Sequence, residues 1–169
     1  MRKNFLFMLA IPLLLVACHK SSDYKCPYTN TTAVAPAAEV TSLKAWLDGA
    51  SISYTQHPSG IFYKVNLPGA GVTAGVCSYT TVKYIGRLTN GFGFDSSYKR
   101  DPEGSSFTLG ELIPGWQIGI PLIQKGGSIT LYIPPSLGYG TRESRDQNGN
   151  VVIPANSNLI FNIELVNVQ

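Results

Sequence analysis

Two segments in the last third of the chain alternate regularly between apolar side chains and other residue types. The alternating apolar positions, in residues 128–133 and 158–168, are Ile129, Leu131, Ile133, Leu159, Phe161, Ile163 and Leu165. Successive side chains of a strand point to opposite faces, so this pattern predicts strands with one face in a core. One-sided burial of this kind is typical of antiparallel sheets.

Further strands are predicted at 60–66, 76–88, 92–95 and 106–109. Asn90-Gly91 separates the second and third of these and is the strongest hairpin signal in the chain. The 17 glycines and 11 prolines, with only 14% charged residues, agree with a domain that is rich in turns. A β-rich domain is therefore favoured over a helical bundle.

Helical spacing is found in two places. Residues 112–120 carry Ile113, Trp116 and Ile120 on one face, and a second helix is predicted from Pro36 to Gly49, with Val40, Leu43 and Leu47 on one face. The predicted fold class is α+β: a curved antiparallel β-sheet, or half-barrel, wrapped around one short central helix, with a short N-terminal helix and a tether. We assign residues 37–59 to a helical and extended cap and residues 60–169 to the main domain.

The first segment resembles a lipoprotein signal peptide. Arg2 and Lys3 precede an apolar run over 5–16, too short for a comfortable membrane span, and Leu15-Val16-Ala17-Cys18 resembles the lipobox of bacterial lipoproteins. The resemblance implies cleavage after residue 17, acylation of Cys18 and a lipidated tether over 18–36. We therefore expect a lipid-anchored protein of the bacterial cell envelope, with the outer membrane favoured because His19 is not the aspartate that often marks inner-membrane retention.

With Cys18 acylated, Cys26 and Cys77 remain as a pair in an oxidising compartment. We predict a disulfide between them that ties the N-terminal segment to the first long strand; two free or buried thiols are the alternative. Without a CxxC motif, neither a redox site nor a zinc site is predicted.

Several function classes find little support. Histidines occur only at His19 and His57, and the sequence contains no GxSxG or HExxH motif. The 13 basic residues are nearly balanced by 10 acidic ones, so no nucleic-acid partner is expected. No cofactor or metal is expected either, and an apolar binding pocket is favoured over proton-transfer chemistry.

A family resemblance covers about the last two-thirds of the chain. The residues that carry it, in order, are 82–88, Asn90-Gly91, Phe94-Asp95-Ser96-Ser97, 107–110, 112–116, Gly126-Gly127, Ile133-Pro134, Tyr139-Gly140, Ile153-Pro154 and 159–161. This series resembles FKBP-type peptidyl-prolyl cis/trans isomerases. The resemblance implies rotation of Xaa-Pro bonds in exported proteins, by non-covalent stabilisation of a twisted amide in an aromatic pocket.

The resemblance also implies a proline pocket, which is transferred residue by residue. Its expected catalytic members are Tyr84, Phe94, Asp95, Ile113, Trp116, Tyr139 and Phe161, and its expected further substrate contacts are Leu112 and Ile153. Trp116 is expected to form the floor, and the Ile113 N–H and the Tyr139 hydroxyl to donate to substrate carbonyls. Asp95 is expected to accept a hydrogen bond, with Tyr84 as the donor. Tyr84, Ile113 and Phe161 are also compatible with simple core packing.

The chain departs from the family pattern at Ser105, where an aromatic or aliphatic residue is usual. We expect Ser105 to open one wall of the pocket and weaken the binding of macrolide inhibitors. The segment 100–106 is one residue longer than usual, which leaves the match of Arg100 open, and the polar loop 141–152 is expected to overhang the pocket.

The expected partners are proline-containing polypeptides, the membrane through the N-terminal lipid, and macrolides, with the protein itself a monomer. A non-catalytic chaperone or an interaction module on the same fold is the alternative.

Overall fold

The computed structural model describes residues 25–169. The predicted signal peptide, the lipidation site Cys18 and the start of the predicted tether lie outside the described residues. From residue 25 onward, no helix is both long enough and apolar enough to cross a membrane.

The core of the fold is a seven-stranded antiparallel sheet. Its strands are β1 (Thr55–Gln56), β2 (Phe62–Leu67), β3 (Tyr79–Leu88), β4 (Gly93–Ser96), β5 (Ser105–Thr108), β6 (Ser128–Ile133) and β9 (Leu159–Val168). The order across the sheet is β1-β2-β6-β9-β3-β4, and β5 pairs with β3 beyond the end of β4. The α+β fold class with an open antiparallel sheet is confirmed.

The strands β6, β9 and β3 form the centre of the sheet. The register sets Leu131 opposite Phe161 and Phe161 opposite Gly86. Their inner face, which carries Val82, Leu131 and Leu165, is almost completely buried. Register shifts in β2 and β3 bend the sheet.

The central helix, α2 (Pro114–Gly119), packs against this inner face. Its glycines allow a close approach to β6: a Cβ at Gly115 would lie 2.6 Å from the Ile133 side chain, and one at Gly119 would lie 2.5 Å from Leu131. The helix is shorter than the predicted 112–120 because Ile113 is its N-cap and the chain tightens into a 3-10 turn at Ile120–Leu122.

The N-terminal helix, α1 (Ala37–Gly49), covers the outer face of the sheet. Leu43 and Leu47 are fully buried there and pack with Phe62 of β2 and Tyr132 of β6 in a second, smaller core. The apolar face predicted for this helix is therefore the face that packs on the sheet. The cap adds the short strand β1, which the sequence did not indicate because a two-residue strand shows no alternation.

The first long strand begins later than predicted. The segment 76–78 lies outside β3 because the Ser78 N–H donates to the Gly75 carbonyl and closes a turn there. Cys77 lies in this turn, and the structure joins it to Cys26 as a disulfide with a Cα–Cα distance of 5.8 Å. The disulfide thus attaches the N-terminal segment to the turn that leads into β3.

Candidate active site

A cavity of about 200 Å³ lies between α2 and the inner face of the sheet. Its lining residues come from strands, loops and the start of α2, and they are Tyr84, Asp95, Phe107, Leu112, Ile113, Trp116, Tyr139 and Phe161. All of them except Phe107 were predicted as site residues. Most of the surface is therefore aromatic or aliphatic, which suits a small apolar group.

Trp116 forms the floor of this cavity. Its ring is 5% exposed and meets the rings of Tyr84 and Phe161 edge to face, each at a centroid distance of 5.0 Å. This geometry is favoured for aromatic pairs, because the positive edge of one ring meets the negative face of another. Two perpendicular contacts hold the indole in one orientation and leave one side of it open to the cavity.

Gly86 makes room for the aromatic cluster. A Cβ at this position would lie 2.6 Å from the Phe94 ring and 2.8 Å from the Phe161 ring. With only hydrogen there, Phe94 and Phe161 pack edge to face at a centroid distance of 5.5 Å. Gly86 is therefore required for the position of Phe161 at the cavity wall.

One wall of the cavity is polar and fully paired. The Tyr84 hydroxyl donates to Oδ2 of Asp95 over 2.6 Å, and Nη1 of Arg100 donates to Oδ1 over 2.5 Å. The Ser96 N–H also donates to Oδ1 of Asp95 at 2.8 Å, and Nη2 of Arg100 donates to the Tyr84 hydroxyl oxygen. Asp95 accepts the bond from Tyr84 that the sequence predicted, and Arg100 joins them as a third member.

Arg100 reaches this wall because the chain leaves the sheet between β4 and β5. In this excursion, residues 97–104, the buried Ser97 accepts the backbone N–H of Tyr84 at 2.9 Å, and the Arg100 N–H donates to the Ser97 carbonyl. Gly104 closes the excursion at a φ of +107°, a conformation that favours glycine. Segment 100–106 is one residue longer than usual in the family, which left the match of Arg100 open. The structure nevertheless places the Arg100 guanidinium beside Asp95.

The charges at this wall are fixed by their neighbours. Burial raises the pKa of the Asp95 carboxyl, but the hydrogen bonds from Arg100 and Tyr84 outweigh burial and leave that pKa below its ordinary value. Burial, together with the Asp95 carboxylate, raises the pKa of the Tyr84 hydroxyl. Asp95 is therefore an ion and Tyr84 a neutral donor at neutral pH, so the pair orients groups and does not transfer protons.

Two donors at the rim of the cavity lack an internal partner, and the buried Nε1 of Trp116 is a third unpaired donor among the lining residues. Among residues 25–169, neither the backbone N–H of Ile113 nor the hydroxyl of Tyr139 donates to a protein acceptor. Ile113 is the N-cap of α2, where backbone N–H groups lack helical acceptors. Burial and the nearby Asp95 charge raise the pKa of the Tyr139 hydroxyl, so it keeps its proton. Both groups are free to bind carbonyl oxygens of a ligand.

Two predicted site residues lie behind the cavity surface. Phe94 is not part of the lining, because its ring turns toward Phe161 and supports it from behind. Ile153, at the end of the short strand β8 (Val151–Ile153), is 4% exposed and belongs to the main core. Phe94 therefore acts on the cavity through Phe161.

Phe107 was not predicted as a site residue. It pairs with Thr80, and its ring lies 6.5 Å from that of Tyr84. The sequence offered only its place in a predicted strand; it is the pairing with Thr80 that puts it on the same face as Tyr84. Ser105, expected to open one wall, is not among the lining residues, and Phe107 occupies this side.

The polar loop that follows Tyr139 forms a hairpin of β7 (Ser144–Arg145) and β8. Asp146 organises its tip by accepting the N–H groups of Asn148 and Asn150, each at 2.9 Å. The side-chain amide of Asn150 also donates to Oδ2 of Asp146 at 3.0 Å, and this bond, with the backbone bonds, holds the Asp146 pKa below its ordinary value. Within the described part of the chain, no group of three or more His, Cys, Asp or Glu residues is placed to hold a metal ion.

Comparison with known families gives one extended match. The family model of FKBP-type peptidyl-prolyl cis-trans isomerases matches residues 73–166. The chain is 47% identical over 110 residues to FkpA of Buchnera aphidicola subsp. Acyrthosiphon pisum, a match that covers 65% of this chain and 43% of the relative. It is 41% identical over 111 residues to FkpA of Escherichia coli K12, covering 66% of this chain and 38% of the relative. The chain thus spans about two fifths of the length of these curated relatives.

Solved structures agree with these matches. The crystal structure of Escherichia coli FkpA aligns with a TM-score of 0.66 and 36% identity, over 79% of this chain and 60% of that one. The crystal structure of AtFKBP13 aligns with a TM-score of 0.62 and 36% identity, over 69% of this chain and 99% of that one. Nearly the whole of the second structure is therefore represented here.

Proposed function

The chain belongs to the family of FKBP-type peptidyl-prolyl cis-trans isomerases, and from this premise we propose that it catalyses the rotation of Xaa-Pro bonds in the cavity above Trp116. The observation that carries the proposal is the aromatic cavity itself, with two unpaired donors at its rim. The proline ring is assigned to the floor formed by Trp116, and the peptide carbonyls to the Ile113 N–H and the Tyr139 hydroxyl.

The chemistry requires no covalent step. Amide resonance sets a rotation barrier of about 20 kcal/mol, and uncatalysed isomerisation takes tens of seconds. Twisting the amide uncouples the nitrogen lone pair from the carbonyl and makes the bond less polar. A dry aromatic cavity therefore binds the twisted form better than the planar form, and this differential binding accelerates the rotation.

The polar wall supports the cavity in this mechanism. Asp95, held ionised by Arg100 and Tyr84, fixes the Tyr84 ring against Trp116. Its carboxylate is turned into a network of donors, so it acts by orientation and by its field, with no role as a base. The catalytic contribution then comes from the shape and the apolar lining of the cavity, and the two rim donors hold the substrate in place.

We further assign exported polypeptides as substrates. Support comes from the lipobox-like sequence that ends at Cys18 and from the Cys26–Cys77 disulfide, a bond that persists in oxidising compartments. Attachment of acyl chains to Cys18 would hold the domain at the cell envelope, because each buried methylene contributes about 0.8 kcal/mol of membrane affinity. Release of the protein from membranes by high salt without detergent would argue against acylation of Cys18.

A protease-coupled isomerisation assay tests the proposed activity. The purified protein should accelerate cleavage of Xaa-Pro peptides, with a dependence on the residue before proline, and a macrolide such as rapamycin should abolish the acceleration by occupying the cavity. A folded sample that gives no acceleration with any peptide would contradict the proposal. It would favour the chaperone alternative, which predicts suppression of client aggregation without isomerisation.

A further inference from the structure

The N-terminal segment 25–35 crosses the domain surface without helix or strand, yet it is attached at several points. Cys26 is bonded to Cys77, and at the other end the Ala35 N–H donates to the Ser59 carbonyl at 2.8 Å. Ala35 is 7% exposed and belongs to the main core. The segment is therefore a fixed strap on the isomerase domain along this stretch.

Tyr28 in this strap sits directly on Gly110. A Cβ at Gly110 would lie 2.4 Å from Cγ and 2.7 Å from Cβ of Tyr28, so only glycine leaves room for the ring. The Tyr28 hydroxyl donates to Oε1 of the adjacent Glu111 over 2.6 Å. The contact joins residues 83 positions apart in the sequence and covers the 3-10 turn Leu109–Glu111 from outside.

This turn leads directly into the cavity. Leu112 and Ile113 follow it and line the rim, and Ile113 carries the unpaired N–H. Nε2 of Gln117 donates to the carbonyls of Leu112 and Gly110 at 2.7 and 3.2 Å. The backbone of this segment is thus held by both Gln117 and Tyr28.

The disulfide anchors the same contact. The Gly110 N–H donates to the Val76 carbonyl at 2.7 Å, and Val76 precedes Cys77 in the chain. Cys26 lies two residues before Tyr28. The disulfide therefore binds the strap to the turn that contains Cys77, and the Tyr28 contact binds it to Gly110, which is hydrogen-bonded to that same turn.

We propose that Tyr28 is a positioning residue for the substrate-binding rim Leu112-Ile113, and that the Cys26–Cys77 disulfide keeps Tyr28 in place. This inference rests on the proposed function, because it gives Tyr28 a role only if the Ile113 N–H binds substrate. A donor that contacts substrate in the ground state and the transition state alike acts mainly on KM. Displacement of the rim should therefore raise KM more than it lowers kcat.

Kinetics of Tyr28 and Gly110 variants test the inference. We expect Tyr28→Ala to raise KM by about 5- to 20-fold, and Tyr28→Phe, which keeps the ring on Gly110 and loses the bond to Glu111, by about two- to threefold. Gly110→Ala should also raise KM, because its methyl group displaces the Tyr28 ring. In Tyr28→Gly/Gly110→Ala both the ring and the Cβ of residue 28 are absent, so the double variant should raise KM no more than Tyr28→Gly alone.

The matched control is Tyr54→Phe. The Tyr54 hydroxyl donates to Oδ1 of Asp48 over 2.7 Å beside α1, an equivalent tyrosine-to-carboxylate bond away from the cavity. Its loss should leave KM unchanged. Cys26→Ala/Cys77→Ala should raise KM to a similar extent as Tyr28→Ala. Combined with Tyr28→Ala, it should cause no further increase in KM.

Amide chemical shifts of Leu112 and Ile113 provide a readout that does not depend on activity. Both should change in Tyr28→Ala and in the cysteine double variant, and neither should change in Tyr54→Phe. Unchanged KM and unchanged shifts in folded Tyr28→Ala would overturn the inference while leaving the proposed function intact. If the wild-type protein proves inactive, the proposed function fails, and the shifts alone then decide whether Tyr28 positions the rim.

Discussion

The phenolic hydroxyl of Tyr84 donates to Oδ2 of Asp95 over 2.6 Å and links the central strand β3 to its edge partner β4. Asp95 is paired in register with Gly86, two residues along β3 from Tyr84, so both side chains lie on the inner face. Arg100 completes the group and fixes the charge on Asp95. The polar wall of the cavity is thus set by strand register and by one loop.

Asp95→Asn tests the charge of this wall through its pH dependence. The folded-state pKa of Asp95 is lowered, so its ion contributes stability that is fully present above the ordinary Asp pKa of about 3.9 and lost as pH falls through the folded pKa. The wild type should therefore be more stable than Asp95→Asn by a constant amount between about pH 5 and pH 8, with the difference shrinking below about pH 4. Denaturant unfolding across this range measures it. A difference that shrinks well above pH 5 would contradict the assignment.

Gly86→Ala should damage both stability and activity. The new methyl group would overlap the rings of Phe94 and Phe161, and overpacking of this kind costs about 1–3 kcal/mol. The displaced Phe161 would also deform the cavity, so kcat/KM should fall for the fraction that remains folded. Gly75→Ala is the control, since a methyl group there meets nothing within 4 Å. Equal behaviour of the two variants would count against the packing argument.

Removal of the disulfide should lower the free energy of unfolding. The sequence separation of 51 residues corresponds to about 4 kcal/mol in the chain-entropy description of cross-links. Unfolding of Cys26→Ala/Cys77→Ala by urea, compared with the wild type, measures the loss. Thiol titration of the denatured, unreduced protein should find neither Cys26 nor Cys77 free. Two equivalents of thiol from these positions would disprove the bond.

Tyr139→Phe isolates one of the two rim donors. The hydroxyl keeps its proton at neutral pH because burial and the Asp95 charge raise its pKa, so the variant loses a donor and little volume. We expect kcat/KM to fall by about 2- to 10-fold, the value of one hydrogen bond to a substrate carbonyl. Tyr98→Phe, which alters a tyrosine outside the cavity lining, should leave the rate unchanged. Equal rates for wild type and Tyr139→Phe would remove Tyr139 from the mechanism.

The alternation in residues 128–133 and 158–168 was sufficient to predict the central strands, because every second apolar side chain lies in the main core. One-sided burial holds for β9 but not for β6, whose outer face is also buried because Tyr132 packs under α1. Contacts that span the chain were not predictable in this way. Arg100 reaches Asp95 through an irregular excursion, and Tyr28 meets Glu111 across 83 positions of sequence, so neither leaves a periodic signal.

The site was recovered mainly through the family resemblance. Periodicity assigned Tyr84 and Trp116 to buried faces, but it did not distinguish a cavity wall from packed core. The same limit applies to Phe94 and Ile153, which were predicted as site residues and lie behind the surface, and to Phe107, which lines it. Whether a buried side chain touches a cavity depends on the rings around it, which strand spacing does not encode.

The most direct test of the central claim is exchange NMR of the cis and trans forms of a short Xaa-Pro peptide, with wild-type protein, Trp116→Leu and Trp46→Leu. The chain has two tryptophans, and Trp46 lies on α1 against the outer face of the sheet, so the pair separates loss of the cavity floor from loss of a large side chain. We predict that the wild type and Trp46→Leu accelerate exchange and that folded Trp116→Leu is at least about tenfold slower, equivalent to about 1.4 kcal/mol of transition-state stabilisation. Equal acceleration by all three proteins, or none by the folded wild type, would contradict the account.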